Sequence, residues 1–286
     1  MKGIVLAGGT GSRLWPITAS ISKQLLPIYD KPLIFYPIAT LMEAQINEIL
    51  IITTRHEQLL FQNLLGNGSD FGVKISYAIQ EKPEGIAQAF LIAEDFIGTS
   101  DVALILGDNL FYGAGLNDLL LEGKESLGSH IFTYEVANPQ DYGVLFLDKA
   151  NNPVSIIEKP NSPESNLAIT GLYFFDYKVS KIARMISPSS RGELEITSVM
   201  TKYMESRSLS FTKLPPGTAW LDTGTPRSLQ DAATFVRVIE ERTGQKIACL
   251  EEIALRNGWL NKSQFNEIIT KYRNNDYGKY LLKVSR

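Results

Sequence analysis

The run Lys2 to Pro16, KGIVLAGGTGSRLWP, constrains the fold more than any other stretch. Ile4-Val5-Leu6-Ala7 is apolar, has the length of a buried strand and shows no helical period. It breaks at Gly8-Gly9-Thr10-Gly11-Ser12-Arg13. A glycine-rich loop at the end of a buried strand is where open α/β sheets bind ligands. Glycines there let backbone N–H groups approach an anion with no Cβ between them, and Arg13 adds a planar guanidinium suited to phosphate oxygens. A bare tight turn is the competing reading of the same glycines. Two familiar phosphate loops are excluded. Leu14 stands where the dinucleotide fingerprint needs its third glycine, no acidic residue ends the second strand at Thr53-Thr54, and no Gly-Lys-Ser/Thr follows.

Strand and helix alternate after the loop. Phe35, Ile38, Met42 and Ile46 share one helical face, Ile49 to Thr53 reads as a buried strand, and Glu57 to Leu65 as a helix closed by Gly66. Val73 to Ile79 alternates as a strand with Gln80 just beyond it. Pro83 and Gly85 make a turn before a helix over Ala87 to Phe96, and Val102 to Leu106 is a further strand ending in Gly107-Asp108-Asn109. This order predicts a mostly parallel sheet with helices on both faces, its carboxyl edge gathering Gly8 to Arg13, Gln80 and Asp108.

The second half is mixed. Strands are expected at Ser129 to Glu135, Gly143 to Asp148, Val154 to Glu158, Ile169 to Phe175 and Leu209 to Leu214, with helices at Tyr177 to Ile186 and Glu195 to Glu205. Thr225-Pro226 starts a helix and Gly244 stops it; the tail from Cys249 to Arg286 reads as helical and amphipathic. No repeat or linker divides the chain, so one domain with a second lobe is expected.

A formal net charge of −3 among 286 residues advertises no polyanion-binding surface, so nucleic acid is not an expected partner. Cys249 is the only cysteine, which excludes an intrachain disulfide and suits a reducing cytosol. The apolar start is too short for a signal-peptide core, and no stretch approaches the roughly 20 apolar residues of a membrane helix. A cytoplasmic protein is expected.

Several side chains could carry chemistry. Lys23, in Lys23-Gln24-Leu25-Leu26-Pro27, follows close behind Arg13. Asp108 ends an apolar strand and reads as a metal ligand or a cap. Asp222, in Trp220-Leu221-Asp222-Thr223-Gly224, ends another. Two carboxylates with substrate phosphates suit Mg²⁺, which rarely has an all-protein cage. Lys159 follows Glu158 at a strand end, and Arg191 stands before a helix; each also reads as ordinary solvated charge. With only His56 and His130, no Ser/His/Asp or Cys/His triad can be assembled. Lacking an evident nucleophile, the chain favours direct transfer over a covalent intermediate.

These stretches together resemble the sugar-phosphate nucleotidylyltransferases, and in particular their thymidylyl-transferring members. The motifs are LAGGTGSRLWP (6–16), SKQLLPIYDKP (22–32), GIAQAF (85–90), LGDNLFYG (106–113), IEKP (157–160), TGLYFFD (170–176), RGELEIT (191–197), AWLDTGT (219–225) and ACLEEIA (248–254). They occur in the family's order over nearly the whole chain. The resemblance implies an α/β, Rossmann-like three-layer fold with a mixed, mostly parallel sheet. It also implies a single domain over 1–286, with 1–110 mainly for the nucleotide, 111–244 mainly for the sugar and 245–286 a C-terminal helical segment.

The implied reaction joins dTTP and glucose 1-phosphate to give dTDP-glucose and diphosphate with Mg²⁺, the first step toward dTDP-rhamnose and related deoxysugars. On that resemblance Leu6, Gly8, Gly9, Gly11, Arg13, Pro83 and Asp108 meet the nucleotide, with Lys23 beside the leaving diphosphate and Gln80 and Gly85 reading the base. Asp108 and Asp222 hold the metal. Glu158 takes glucose hydroxyls, Lys159 and Arg191 the sugar phosphate, and Gly143, Thr170 and Trp220 the sugar. Tyr112, Gly113, Glu252 and Arg256 mark a regulatory nucleotide site, and a homotetramer is implied. The chain departs from the family pattern at Trp15, at Ser198-Val199-Met200, at Pro226-Arg227 and at Ala114-Gly115, the last beside the regulatory segment. A relative using UTP, CTP or ATP, or another sugar phosphate, is the same-fold alternative. A non-catalytic nucleotide-sugar sensor is the alternative of a different class.

Overall fold

The computed structural model describes residues 1–9, 11–272 and 274–286; Thr10 of the glycine loop lies outside the described residues. In chain order, β1 (Lys2–Leu6) precedes a small hairpin, β2 (Pro27–Ile28) and β3 (Lys31–Pro32). Then α1 (Phe35–Glu43) leads to β4 (Glu48–Thr53), and α2 (Gln58–Leu65) to β5 (Lys74–Ile79). The short α3 (Gln88–Ile92) and α4 (Glu94–Ile97) lead to β6 (Val102–Leu106). Next come β7 (Asn109–Tyr112), α5 (Leu116–Lys124), β8 (Ser129–Glu135), β9 (Gly143–Leu147), β10 (Pro153–Glu158) and β11 (Leu167–Phe175). After α6 (Val179–Met185) and α7 (Ile196–Glu205) come β12 (Leu209–Lys213), β13 (Ala219–Asp222) and α8 (Pro226–Thr243). The described chain closes with α9 (Leu250–Arg256), α10 (Lys262–Tyr272) and α11 (Asp276–Val284).

One nine-stranded sheet runs through both halves of the chain. Its parallel part is β6-β1-β4-β5, with Val5 opposite Ile51 and Ile105. β11 lies antiparallel to β6 and carries β8 on its far side, with β9 and β10 joined near its start and β12 parallel to β8. Successive strand residues point to opposite faces, so the apolar runs feed two cores. Val5, Ile49, Ile51, Ala103 and Ile105 pack under α1, α2 and the C-terminal helices. Ile4, Leu50, Ile52, Val102 and Leu104 pack against α3, α4, α6 and α7. Phe90 and Phe175 meet edge-on at 5.2 Å within the second core; truncating either to alanine costs about 3–5 kcal/mol. A three-layer α/β architecture with a mixed sheet results.

Two local features differ from the sequence expectation. The helix read over Ala87 to Phe96 is broken at Ala93, whose ψ of 7° leaves the helical region. Ala87, Ala89 and Ala93 are all fully buried, so packing on the sheet sets the path rather than intrinsic propensity. The second feature is the two-stranded ribbon of β7 and β13, which pairs Asn109 with Asp222 and Tyr112 with Ala219. It crosses about a hundred residues of sequence, beyond the reach of any local pattern.

Candidate active site

The glycine loop leaves β1 at the carboxyl edge of the parallel strands. Gly9 and Gly11 adopt positive φ of 109° and 56°, which glycine enters without a Cβ clash. The turn that follows, Ser12–Leu14, buries Leu14 and leaves Arg13 exposed. A cavity of about 360 Å³ opens over this loop, lined by Gly8, Gly9, Gly11, Arg13, Lys23 and Pro83, with Glu193 and Gly224 opposite. A second cavity of about 180 Å³ adjoins it, lined by Asp108, Gly143, Glu158, Lys159, Trp220 and Asp222 among others. Arg13 lines both.

The junction is built from the β7–β13 ribbon. The Asp108 carbonyl accepts from the Thr223 N–H at 3.1 Å and the Thr223 hydroxyl at 2.9 Å, which holds the two aspartates side by side. Lys23 forms an ion pair with Asp108, and Asn109 Nδ2 donates to Asp108 Oδ1 at 2.9 Å. Burial by itself would raise the Asp108 pKa, but the Lys23 ammonium and the Asn109 bond outweigh it and hold it below the usual carboxylate range. Asp222 goes the other way: burial and the neighbouring Asp108 charge raise it. Its Oδ1 accepts from the Gly224 N–H at 2.7 Å. Two hard carboxylates held this close, one without a dedicated counter-charge, suit a divalent cation that takes its remaining oxygens from phosphates. Among the described residues no group of three or more His, Cys, Asp or Glu is arranged as an all-protein cage.

On the sugar side, Lys159 holds a left-handed backbone, φ 45°, with its N–H donating to the Tyr142 carbonyl at 2.9 Å. Such a conformation costs a non-glycine residue about 1–3 kcal/mol, and it turns Lys159 into the wall of the cavity. Burial and nearby Glu195 raise the Glu158 pKa against the pull of Lys159 and Arg191.

Other named residues are placed differently. Arg191 lines neither cavity; its guanidinium lies on Glu195, with Nη2 contacts of 2.8 and 2.9 Å, and 3.4 Å from Glu158. Thr170 is fully buried and its hydroxyl has no partner among the described residues, while its neighbours Ile169 and Gly171 face the cavity. Leu6 is half-buried at the strand end. Gln80 is buried against Gly8, and Gly85 lies directly on the Leu194 backbone. Tyr112, Gly113, Glu252 and Arg256 come together in a separate cavity of about 270 Å³ beside α1 and α9, with Arg256 ion-paired to Glu43.

Sequence reasoning passed over two residues that organise the site. Asn109 Oδ1 accepts from Trp220 Nε1 at 2.6 Å and from the Gly171 N–H at 3.2 Å, joining β7, β11 and β13. Its place directly after Asp108 was the available signal. Glu195, buried and also bonded to Ser189 at 2.7 Å, stands four residues from Arg191.

A family model for nucleotidyl transferases matches residues 2–238. A glucose-1-phosphate thymidylyltransferase of Neisseria meningitidis is 50% identical over 285 residues, 99% of each chain. One from Mycolicibacterium smegmatis is 52% identical over 284 residues, again 99% of each. Among solved structures, a Bacillus anthracis protein assigned as a glucose-1-phosphate thymidylyltransferase, in complex with sucrose, matches with a TM-score of 0.77. It is 38% identical and the match covers 83% of this chain and 95% of that one. A UDP-glucose pyrophosphorylase complexed with UDP-glucose matches with a TM-score of 0.73 at 26% identity, covering 83% and 98%. The chain belongs to the nucleotidyl transferase family and is an enzyme of it. Within that family it stands with the glucose-1-phosphate thymidylyltransferases, half its residues identical to theirs from end to end.

Proposed function

We propose that the chain catalyses Mg²⁺-dependent thymidylyl transfer from dTTP to α-D-glucose 1-phosphate, releasing diphosphate and dTDP-glucose, the first step toward dTDP-rhamnose and related deoxysugars. The junction of the two cavities carries this reading: Arg13 on both walls, and the Lys23–Asp108 pair between them. An acceptor phosphate oxygen attacks the α-phosphorus in line as the bridging oxygen departs with diphosphate, and no protein base is required. The obstacle is repulsion between two anions, which lysine and arginine side chains relieve. Held by Asp108, Asp222 and substrate phosphates, Mg²⁺ would neutralise further phosphate charge.

In this reading the glycine loop, with Leu6 and Pro83 beside it, binds the nucleotide; Arg13 takes the triphosphate and Lys23 the departing diphosphate. Gln80 and Gly85 meet thymine. Glu158 binds glucose hydroxyls, Lys159 and Arg191 the sugar phosphate, and Gly143, Thr170 and Trp220 the glucose. Arg191 reaches that phosphate only by turning from Glu195. We place the enzyme in the cytoplasm as a homotetramer; no helix among the described residues is long and apolar enough to cross a membrane. The test is a diphosphate-release assay over dTTP, UTP, CTP and ATP with several sugar 1-phosphates. The dTTP and glucose 1-phosphate pair is expected to give the highest kcat/KM, and a different winning pair overturns the reading.

The cavity at Tyr112, Gly113, Glu252 and Arg256 is proposed as an end-product site for dTDP-rhamnose. Arg256→Ala should weaken that inhibition with little change in turnover; inhibition undiminished in the variant places the sensing elsewhere.

A further inference from the structure

A chain of three side chains runs from the surface to Gly8, on the wall of the glycine-loop cavity. Gln80 Nε2 donates to Gln88 Oε1 at 2.6 Å, and Gln88 Nε2 donates to a Glu84 carboxylate oxygen at 2.8 Å. The Glu84 backbone N–H also donates to Gln88 Oε1, at 3.2 Å. Carboxamide groups can flip, and their direction is set by their partners. Here both anchors are one-way: a carboxylate only accepts and a backbone N–H only donates. Gln88 therefore keeps its NH₂ toward Glu84 and its oxygen toward Gln80. Gln80 in turn keeps its NH₂ toward Gln88, which leaves Oε1 facing Gly8, so close that any Cβ on Gly8 would collide with it. No donor among the described residues reaches that oxygen.

We propose that Glu84 and Gln88 are positioning residues that fix Gln80 as a hydrogen-bond acceptor and so set which bases the nucleotide pocket takes. The inference rests on the reading that Gln80 meets the base. Thymine and uracil present N3–H, a donor that an amide oxygen accepts. Cytosine presents a lone pair at N3, which faces the same oxygen repulsively. The device rejects cytosine and is blind to the difference between thymine and uracil, which leaves the choice between those two to other groups. Glu84 is exposed and Gln88 half-buried, so neither needs to touch the nucleotide to act.

The experiment compares kcat/KM for dTTP, dCTP and dUTP in the full chain and four variants, each checked by its melting curve. Gln88→Met releases Gln80, and the dTTP-to-dCTP ratio is expected to fall at least tenfold while the dTTP-to-dUTP ratio holds. Glu84→Gln removes the accept-only anchor but leaves the Glu84 backbone N–H on Gln88 Oε1, and is expected to give a smaller fall in the same ratio. The double variant E84Q/Q88E restores a one-way acceptor opposite Gln80 and is expected to recover the preference. Gln80→Ala tests the underlying reading. If it alone collapses the dTTP-to-dCTP ratio while both Glu84→Gln and Gln88→Met leave it unchanged, the positioning chain is overturned and the base contact stands. If Gln80→Ala leaves the ratio unchanged, the base contact itself falls. A fall in the single variants without recovery in the double variant, or an equal fall against dUTP, marks a packing effect and overturns the proposal.

Discussion

The two walls of the cleft differ in how they are made and in the charge they hold. The glycine-loop wall comes mostly from one contiguous stretch, residues 8–24, and sets Arg13 and Lys23 against Glu193. The opposite wall gathers Asp108, Asp141, Glu158 and Asp222 from separate strands and loops, against Arg13 and Lys159. One wall is prepared for an anion; the other has carboxylates to spare, which suits hydroxyl donors and a cation. The division teaches that charge in this cleft is sorted by position, and the proposed reaction assigns each sort to a different part of the substrates. Arg13, shared by both, stands where the proposed reaction brings two phosphate groups together.

The largest break in that comparison is expected at the aspartate pair. Asp222→Asn keeps the shape and the Gly224 bond but removes a charge from the carboxylate-rich wall. Mg²⁺-dependent diphosphate release should fall on the order of 10³-fold with the melting temperature held. Asp108→Asn should do the same and also strip Lys23 of its partner. Near wild-type turnover in both variants sinks the metal assignment.

The walls also differ in how far sequence alone reveals them. β6 is legible because five apolar residues run from Asp101 to Gly107, and the strand occupies that very span. α8 is legible because Thr225, Pro226 and Gly244 are its cap, first turn and stop; the Thr225 hydroxyl accepts from the Ser228 N–H at 3.1 Å, closing a capping box. The glycine loop is local in the same sense. The opposite wall is not, because its geometry depends on contacts such as Trp220 Nε1 to Asn109 Oδ1, across 111 positions. The enclosure of Thr170 likewise follows from which strand face lies inward.

Paired substitutions sharpen the contrast at a smaller scale. Arg13→Ala should cost at least ~2 kcal/mol in kcat/KM for dTTP, since it removes a charged partner from a phosphate. Glu158→Gln should cost about 1–2 kcal/mol in kcat/KM for glucose 1-phosphate and leave the dTTP KM nearly unmoved. Varying each substrate in turn reads this directly. Equal penalties on both substrates from Glu158→Gln contradict the assignment of that wall to the sugar.

The smallest expected effect belongs to a residue on neither wall, and it separates the stability of the frame from the chemistry of the cleft. His130, buried on β8, has Nδ1 within 2.8 Å of the Ser210 hydroxyl and 3.2 Å of Ser126, while Nε2 has no partner among the described residues. Burial pushes its pKa down to about 4. Between that value and the unfolded value near 6.5, the unfolded chain binds a proton that the folded chain refuses. Stability is therefore intact above about pH 6.5 and is lost as pH falls toward 4, by roughly 2 kcal/mol between pH 8 and pH 5. His130→Gln keeps a polar side chain and removes the titration. Denaturant unfolding at the two pH values should show that loss shrinking by about the same amount, with both substrate KM values unchanged. Identical pH dependence in wild type and variant would mean that the ring takes its proton without unfolding; a shifted dTTP KM would tie β8 to the glycine-loop wall.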